Sequence, residues 1–259
     1  MDDQTLADSL NSYASAQSVE ALWADHLETM LGFGFHRLLY GFTRQYSKDS
    51  YGQTEDLIIL SNHCNDYLRR YIGEKLFLHA PMARWARENI GACSWRWAHE
   101  MANAGQLTDE EIRVLDFNRS MNVAAGYTIS FNSISTRNKG VIALAGEKGV
   151  SQDSVDAIWE RNGSAVLALN NFFHLQLHTL PQRAGQPLTA RQREVLEWVG
   201  DGKTVQDIAT LLSLTPSTVE KHLRLAREAL DVETTAQAVL KATFYNQIHI
   251  LDPSKVSVR

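Results

Sequence analysis

Cysteine is nearly missing: Cys64 and Cys93 are the two in a chain of 259 residues. That excludes a disulfide framework and a cysteine-built zinc site. Long apolar runs are missing as well. No stretch nears the roughly 18 uninterrupted apolar residues of a membrane span, so no membrane partner is expected. The opening Met1-Asp2-Asp3-Gln4 has neither the basic flank nor the apolar run of a secretory signal, which predicts a cytoplasmic protein. An excess of positive charge is also absent: Lys+Arg 25 against Asp+Glu 30 leave a net charge of −5. Taken whole, that balance argues against a chain coated in cations for nucleic acid. What remains is ordinary, 44% hydrophobic and 21% charged, the values of a folded globular protein. The length favours two domains over one large one.

Proline, at five residues, is scarce too, and two prolines fall close together. Residues 179–187, Thr179-Leu180-Pro181-Gln182-Arg183-Ala184-Gly185-Gln186-Pro187, hold both prolines and a glycine with almost no large apolar side chain. Such a segment neither continues a helix nor packs a core, and reads as a linker. It separates an N-terminal domain, 1–178, from a C-terminal one, 188–259. In the first, Ala21, Leu22, Leu27 and Leu31 recur at helical spacing, and 37–43 and 57–60 look like strands. Helices are expected near 66–73 and 82–89, and at 109–120, where Thr108 and Glu111 suit a capping box. Residues 125–135 and 140–145 read as a hairpin turning at Asn138-Lys139-Gly140, where Asn and Gly tolerate positive φ. A long helix follows from Ser151 to His178. Helices flanking a run of strands give an α/β/α sandwich around a central antiparallel sheet.

The C-terminal domain reads as four helices and nothing else. Thr189 caps the first, which ends before Gly202, and Thr204 caps the second, Val205 to Leu212. Thr215-Pro216 opens the third, a favourable start, and Thr235 to Tyr245 is the fourth. The second and third, joined by Ser213-Leu214-Thr215, form a helix-turn-helix. In the third helix Val219, Leu223, Ala226 and Leu230 make one apolar face. The other carries Ser217, Glu220, Lys221, Arg224 and Arg227, a pattern that fits a helix lying in a major groove. Charged helix faces are common, however, so periodicity alone leaves a merely solvated face as the alternative. Charge supports the division: from Leu188 onward acidic and basic residues cancel, and the acidic excess belongs to the N-terminal domain.

Residues Leu188-Thr189-Ala190-Arg191-Gln192-Arg193-Glu194-Val195-Leu196-Glu197-Trp198, then Gly202-Lys203-Thr204, Asp207-Ile208-Ala209, Ser217-Thr218-Val219 and His222-Leu223, resemble the LuxR-type helix-turn-helix. The resemblance implies a small core of Leu196, Ile208, Ala209, Leu212, Val219 and Leu223, and DNA contacts from Lys203, Thr204, Ser217, Thr218, Glu220, Lys221, Arg224 and Arg227. The chain departs from that family at Gln192, where an acidic residue is usual and whose loss would weaken a cap or salt bridge. It departs again at Leu225, where Asn is usual, and at Glu220, where relatives often carry a basic or amide side chain. Glu220 can accept from a cytosine amino group or repel phosphate.

The N-terminal domain lacks the acidic arrangement of a phosphorylated receiver. It is similar instead to the autoinducer-binding domain of LuxR-type quorum-sensing regulators, through Asp66-Tyr67-Leu68-Arg69-Arg70-Tyr71, Ala80-Pro81, Trp95 and Gly126. That resemblance implies a ligand pocket built with His63, Tyr67, Tyr71, Ala80, Pro81, Trp95, Gly126 and Ala143. Four of these depart from the family. Tyr67 stands where a Trp donates to a lactone carbonyl, and Ala80 where an Asp accepts from the ligand amide. His63 replaces a Tyr near the acyl carbonyl, and Ala143 a strand Ser or Thr. A buried amide left without a partner costs on the order of 1–3 kcal/mol. Three outcomes stay open: a homoserine lactone held differently, another small amphipathic ligand, or a pocket filled by Phe77, Trp85, Trp95 and Trp97.

Enzymatic and metal-binding readings are remote. Cys64 beside His63 has no third orienting group, and His174 and His178, at i and i+4, supply half of a metal site and read better as a helix-surface pair. The expectation is an α+β protein that is not an enzyme: a DNA-binding transcription regulator sensing a small amphipathic signal, an acyl-homoserine lactone or an atypical ligand. It needs no cofactor beyond that small-molecule ligand. It binds double-stranded DNA at an inverted repeat as a homodimer. The long helix, apolar at Val155, Ile158, Val166, Leu169 and Phe173, and the last helix, with Ala236, Val239 and Leu240, are its candidate dimer elements.

Overall fold

The computed structural model describes residues 3–47, 50–52, 57–133, 135–180 and 188–248. The chain divides into two compact units, Met1–Gln176 and Leu177–Arg259. Of the linker expected at 179–187, residues 181–187 lie outside the described residues, while Leu180, expected to pack nowhere, is buried. The first unit is built on a five-stranded sheet of order β2-β1-β5-β4-β3, with β1 Phe35–Thr43, β2 Ile58–Ser61, β3 Gly91–Ser94, β4 Gly126–Ser130 and β5 Lys139–Gly146. Every neighbouring pair is antiparallel, in registers such as Tyr40↔Ile142 and Ile129↔Ile142.

Alternation along the strands assigns the two faces. Tyr40, Phe42, Tyr127, Ile129, Phe131, Ile142 and Leu144 are buried on one side. They meet the long helix α7, Gln152–Leu177, through contacts such as Tyr127 stacked on Trp159 at 4.0 Å and Tyr40 edge-on to Phe173. Two N-terminal helices, α1 Asp3–Ser15 and α2 Val19–Gly32, complete this layer. Tyr13, His26 and Asn170 join α1, α2 and α7 in one buried hydrogen-bonded chain. The opposite layer holds α3 Asn65–Leu68, α4 Pro81–Glu88, α5 Arg96–Asn103 and α6 Asp109–Ser120.

Several expectations need correction. The helix expected over 66–73 is one turn of α-helix running into a π-turn, Arg69–Gly73, a widening often found at functional positions. Neither Asn138 nor Gly140 takes positive φ. Gly140 instead lies inside β5 paired with Phe42, where a Cβ would come within 2.7 Å of the His174 ring. It is glycine for close packing, not for a turn. The edge strand β3 was not anticipated. The apolar stripe of α7 is buried on its own sheet, with Val155, Val166, Leu169 and Phe173 all in the core; it therefore offers no dimer surface. His174 is not on a helix surface either: its ring is buried, stacks on Phe131 at 4.2 Å and shares a hydrogen bond with Tyr40. Among the described residues no cluster of three or more His, Cys, Asp or Glu could hold a metal, and no helix is long and apolar enough to cross a membrane.

The second unit contains α8 Ala190–Gly200, α9 Val205–Leu212, α10 Pro216–Ala229 and α11 Thr235–Phe244. Its caps follow the sequence directly. Thr189, Thr204, Thr215 and Thr234 each accept from the backbone N–H three residues on. Gln192 does not weaken its helix: its side chain accepts from the Thr189 N–H at 2.8 Å and completes a capping box, as a Glu would. Gly202, with φ +79°, ends α8; it and Lys203 donate to the carbonyls of Val199 and Trp198, the Schellman pattern. The core is Val195, Leu196, Ile208, Ala209, Val219, Leu223, Ala226, Leu230 and Ala238, with Leu212 and Val239 packed at its margin.

Candidate functional site

Beneath α3–α6, the sheet leaves two adjoining cavities, of about 120 and about 60 Å3. The larger is almost wholly apolar, walled by Leu39, Phe42, Tyr51, Leu57, Ile59, Phe77 and Val141, with Lys139 at one side. The smaller is mixed: His63, Tyr67, Trp95, His99, Asn118 and Arg119 line it together with Ala80 and Pro81. Leu39, Tyr71, Met82, Thr128 and Ala143 line both.

Seven of the eight expected ligand residues line the smaller cavity: His63, Tyr67, Tyr71, Ala80, Pro81, Trp95 and Ala143. The eighth, Gly126, stands behind Trp95. A Cβ there would lie 3.0 Å from the indole and 2.3 Å from the Leu144 carbonyl, so only glycine lets Trp95 lie against β4. Pro81 opens α4 at its first turn, where a missing N–H costs nothing, and Ala80 precedes it, 4% exposed. His79 is exposed and takes no part. Phe77, Trp85 and Trp97 are half-buried; among these three, Phe77 alone lines a cavity.

The polar groups here are largely committed to the protein. Tyr67 donates to Asn118 Oδ1 at 3.0 Å and the Trp95 indole N–H donates to Thr128 Oγ1 at 2.8 Å. His63 stacks on Tyr67 at 4.2 Å, and Tyr67 stacks in turn on Tyr71 and Phe117. Burial, helped by the nearby Arg37 charge, pulls the His63 pKa down to about 4. Burial also lowers His99 and raises Tyr67 and Tyr71. The site is thus neutral on its histidine and tyrosine side chains near pH 7, and no carboxylate lines either cavity among the described residues. Asn118, Thr128, His99 and, apart from Tyr71, Phe77 and Ala143, the lining of the apolar cavity were missed from the sequence. Alternation on β1 and β5 held a usable signal for Leu39, Gly41, Val141 and Ala143, since these face away from α7.

In the second unit, Ser217, Glu220, Lys221 and Arg224 are exposed along one face of α10, at the spacing of a single helical stripe. Arg224 is paired with Glu228 at 2.5 Å. Ser217 and Thr218 hydroxyls bond the Thr215 cap. Lys203 is exposed beside Thr204, whose hydroxyl caps α9. Arg227 stands apart from this face: it is half-buried and donates to Thr235 on α11.

Cys64 is exposed at the start of α3, while His63 is buried, so the pair forms no nucleophile and base.

Residues 18–177 match the family described as autoinducer binding domain, and residues 186–242 match bacterial regulatory proteins, luxR family. The transcriptional activator protein VanR of Vibrio anguillarum is 24% identical over 225 residues, 84% of this chain and 89% of its own length. The activator LuxR of Aliivibrio fischeri is 20% identical over 195 residues, 75% of this chain and 76% of its own. Among solved structures, SdiA of Escherichia coli in complex with octanoyl-rac-glycerol aligns over 96% of this chain and 99% of its own, with TM-score 0.52 and 14% identity. The LuxR family transcription factor CepR2 from Burkholderia cenocepacia, described as N-acylhomoserine lactone dependent, covers 67% of this chain and 94% of its own, with TM-score 0.52 and 16% identity. At such identities the two structures share the fold. The family matches carry the assignment: this chain belongs to the LuxR-type transcription regulators, with an autoinducer-binding domain followed by a LuxR-type helix-turn-helix, and not to a family of enzymes.

Proposed function

We propose that this regulator acts in the cytoplasm as a homodimer, binding a small amphipathic signal in the adjoining cavities and an inverted-repeat operator through α10. The carrying observation is the juxtaposition of a mixed cavity with an apolar one across five shared residues, which suits a polar head joined to an alkyl chain. The two structural relatives described with an acyl glycerol and an acyl-homoserine lactone dependence support the same class of ligand. Ligand residues are those lining the smaller cavity, with Gly126 behind Trp95. DNA contacts come from Lys203, Thr204, Ser217, Thr218, Glu220, Lys221 and Arg224, with Arg227 steadying α10 against α11. The exposed Leu240 and Phe244 of α11 are the proposed dimer surface of the second unit. We assign residues 1–178 to sensing, 188–259 to DNA binding and 179–187 to the linker between them.

A ligand that binds the folded form alone raises stability by mass action. Saturable thermal stabilisation of the full chain by medium-chain acyl amphiphiles, with tighter binding to an inverted-repeat site in a gel shift, is the expected result. A specific observation favours a second reading: the His63–Tyr67–Tyr71–Phe117 stack and the modest cavity volumes suit a ligand-independent regulator. Operator binding unchanged by every amphiphile, with no thermal shift, establishes that second reading.

A further inference from the structure

We propose that the signal held by this chain ends its alkyl chain in a carboxylate, received by Lys139 at the end of the apolar cavity away from the smaller one. This rests on the sensor reading above and concerns the chain terminus of the same ligand.

The sheet sets the direction. Leu39, paired with Ala143, lines both cavities; Gly41 paired with Val141, then Thr43 paired with Lys139, continue the wall of the apolar one. Residues directly opposite in an antiparallel pair share a face, and so do alternate residues along a strand. Ala143, Val141 and Lys139 therefore form one row, from the junction of the cavities to the far end of the larger. Four residues of strand at about 3.3 Å each make roughly 13 Å, about the reach of an extended ten-carbon acyl chain.

Lys139 is the single charged side chain in that wall among the described residues. It is half-buried, and burial lowers its pKa. Its Nζ donates to the carbonyl of Asn89, which closes α4, at 3.4 Å. That is longer than an ordinary N–H···O bond, and an ammonium has three protons to donate, so capping the helix leaves donors for a ligand. Tyr51 stands at the same end, its carbonyl accepting from Thr43 Oγ1 at 2.8 Å. Burial raises the Tyr51 pKa to about 12, and the charge of Arg87 works against that rise, so a second cation contributes to the field there. A carboxylate entering an apolar cavity surrenders its water, a heavy cost unless a cation meets it. Beside Lys139 it recovers a charge-assisted hydrogen bond, whereas a methyl terminus gains nothing from the ammonium.

The test uses the full-length chain at neutral pH and three probes. They are monodecanoylglycerol, the monoglyceryl ester of sebacic acid, in which the terminal methyl is a carboxylate, and decanoic acid. Affinities are read by calorimetry and thermal shift. The sebacate ester is expected to bind about tenfold more tightly than monodecanoylglycerol, the range of a hydrogen bond to a charged group. Lys139→Met is expected to abolish that preference and Lys139→Arg to keep it. Circular dichroism checks that the variants are folded, and the wild-type ratio decides the matter without them. Decanoic acid bound with the same dependence on Lys139 also supports the proposal and identifies a free fatty acid as the source. Its failure beside tight binding of the sebacate ester assigns the carboxylate to a ligand that carries a head as well. Monodecanoylglycerol bound as tightly as both carboxylates, or more so, overturns the proposal and leaves the sensor reading intact. A carboxylate preference that survives Lys139→Met overturns it too. Absence of saturable binding by all three probes overturns both.

Discussion

At the scale of single residues, the clearest constraint is Gly126. Its missing Cβ leaves room for the Trp95 indole, and β4 approaches the Leu144 carbonyl there too closely for any side chain. Gly126→Ala is expected to cost about 1–3 kcal/mol through overpacking and to move Trp95. Denaturant unfolding together with tryptophan fluorescence reads both effects; unchanged stability and emission would contradict the close approach. Buried imidazoles set the pH response. His26 is held neutral by burial, its pKa lowered to about 3 despite a hydrogen bond to Asn170, and His63 to about 4. An unfolded histidine titrates near 6.5, so between these values the unfolded chain binds more protons. Their contribution is complete above about pH 6.5 and falls on acidification, by about 1.4 kcal/mol per pH unit for each ring. Denaturant midpoints from pH 7 to pH 5 should decline accordingly, and His26→Phe, if folded, should halve the slope.

At the scale of elements, α10 presents the acidic Glu220 on the same exposed face as Lys221 and Arg224. Arg224→Ala is expected to lower operator affinity by about 1–3 kcal/mol with the fold intact, the range for an arginine that reads a base; unchanged specific binding in a gel shift removes α10 as the reading helix. Glu220→Ala should instead relax preference at one cytosine of the half-site while keeping nonspecific affinity within a few fold, as a selection from randomised sites would report. Elements also show what sequence can carry. The caps at Thr108, Thr189, Thr204 and Thr215, and the turn at Gly202, were legible because each is a local bargain among four or five neighbouring residues. The ring of residues around Ala80 was legible through resemblance. What escaped was decided at long range. Gly140 read as a turn because its reason, the ring of His174, lies 34 residues away in sequence. The α7 stripe read as an interface because periodicity reports an apolar face without saying what covers it. Strand β3 escaped because four half-buried residues at a sheet edge leave no alternating pattern to read.

At the scale of the whole molecule, net charge described neither unit, since the DNA-binding half is neutral and its exposed cations Lys221 and Arg224 share a face with Glu220. In the proposed homodimer such a domain acts twice on one operator. Replacing Leu240, 54% exposed, and Phe244, 43% exposed, together by Glu should leave a single half-site bound as before. The same change should weaken the full inverted repeat at least tenfold, which paired gel shifts would measure; equal losses on both sites would place these residues outside the dimer contact. The cavities carry a last consequence. Hollows of this size forgo packing worth up to about 4 kcal/mol at roughly 24 cal/mol per Å3, a large part of the stability of a typical domain. An empty receptor spends more time open to cellular proteases than a filled one. If the cavities take the proposed signal, its concentration sets the lifetime of the protein, and the number of regulator molecules in the cell becomes a record of what the cell has met.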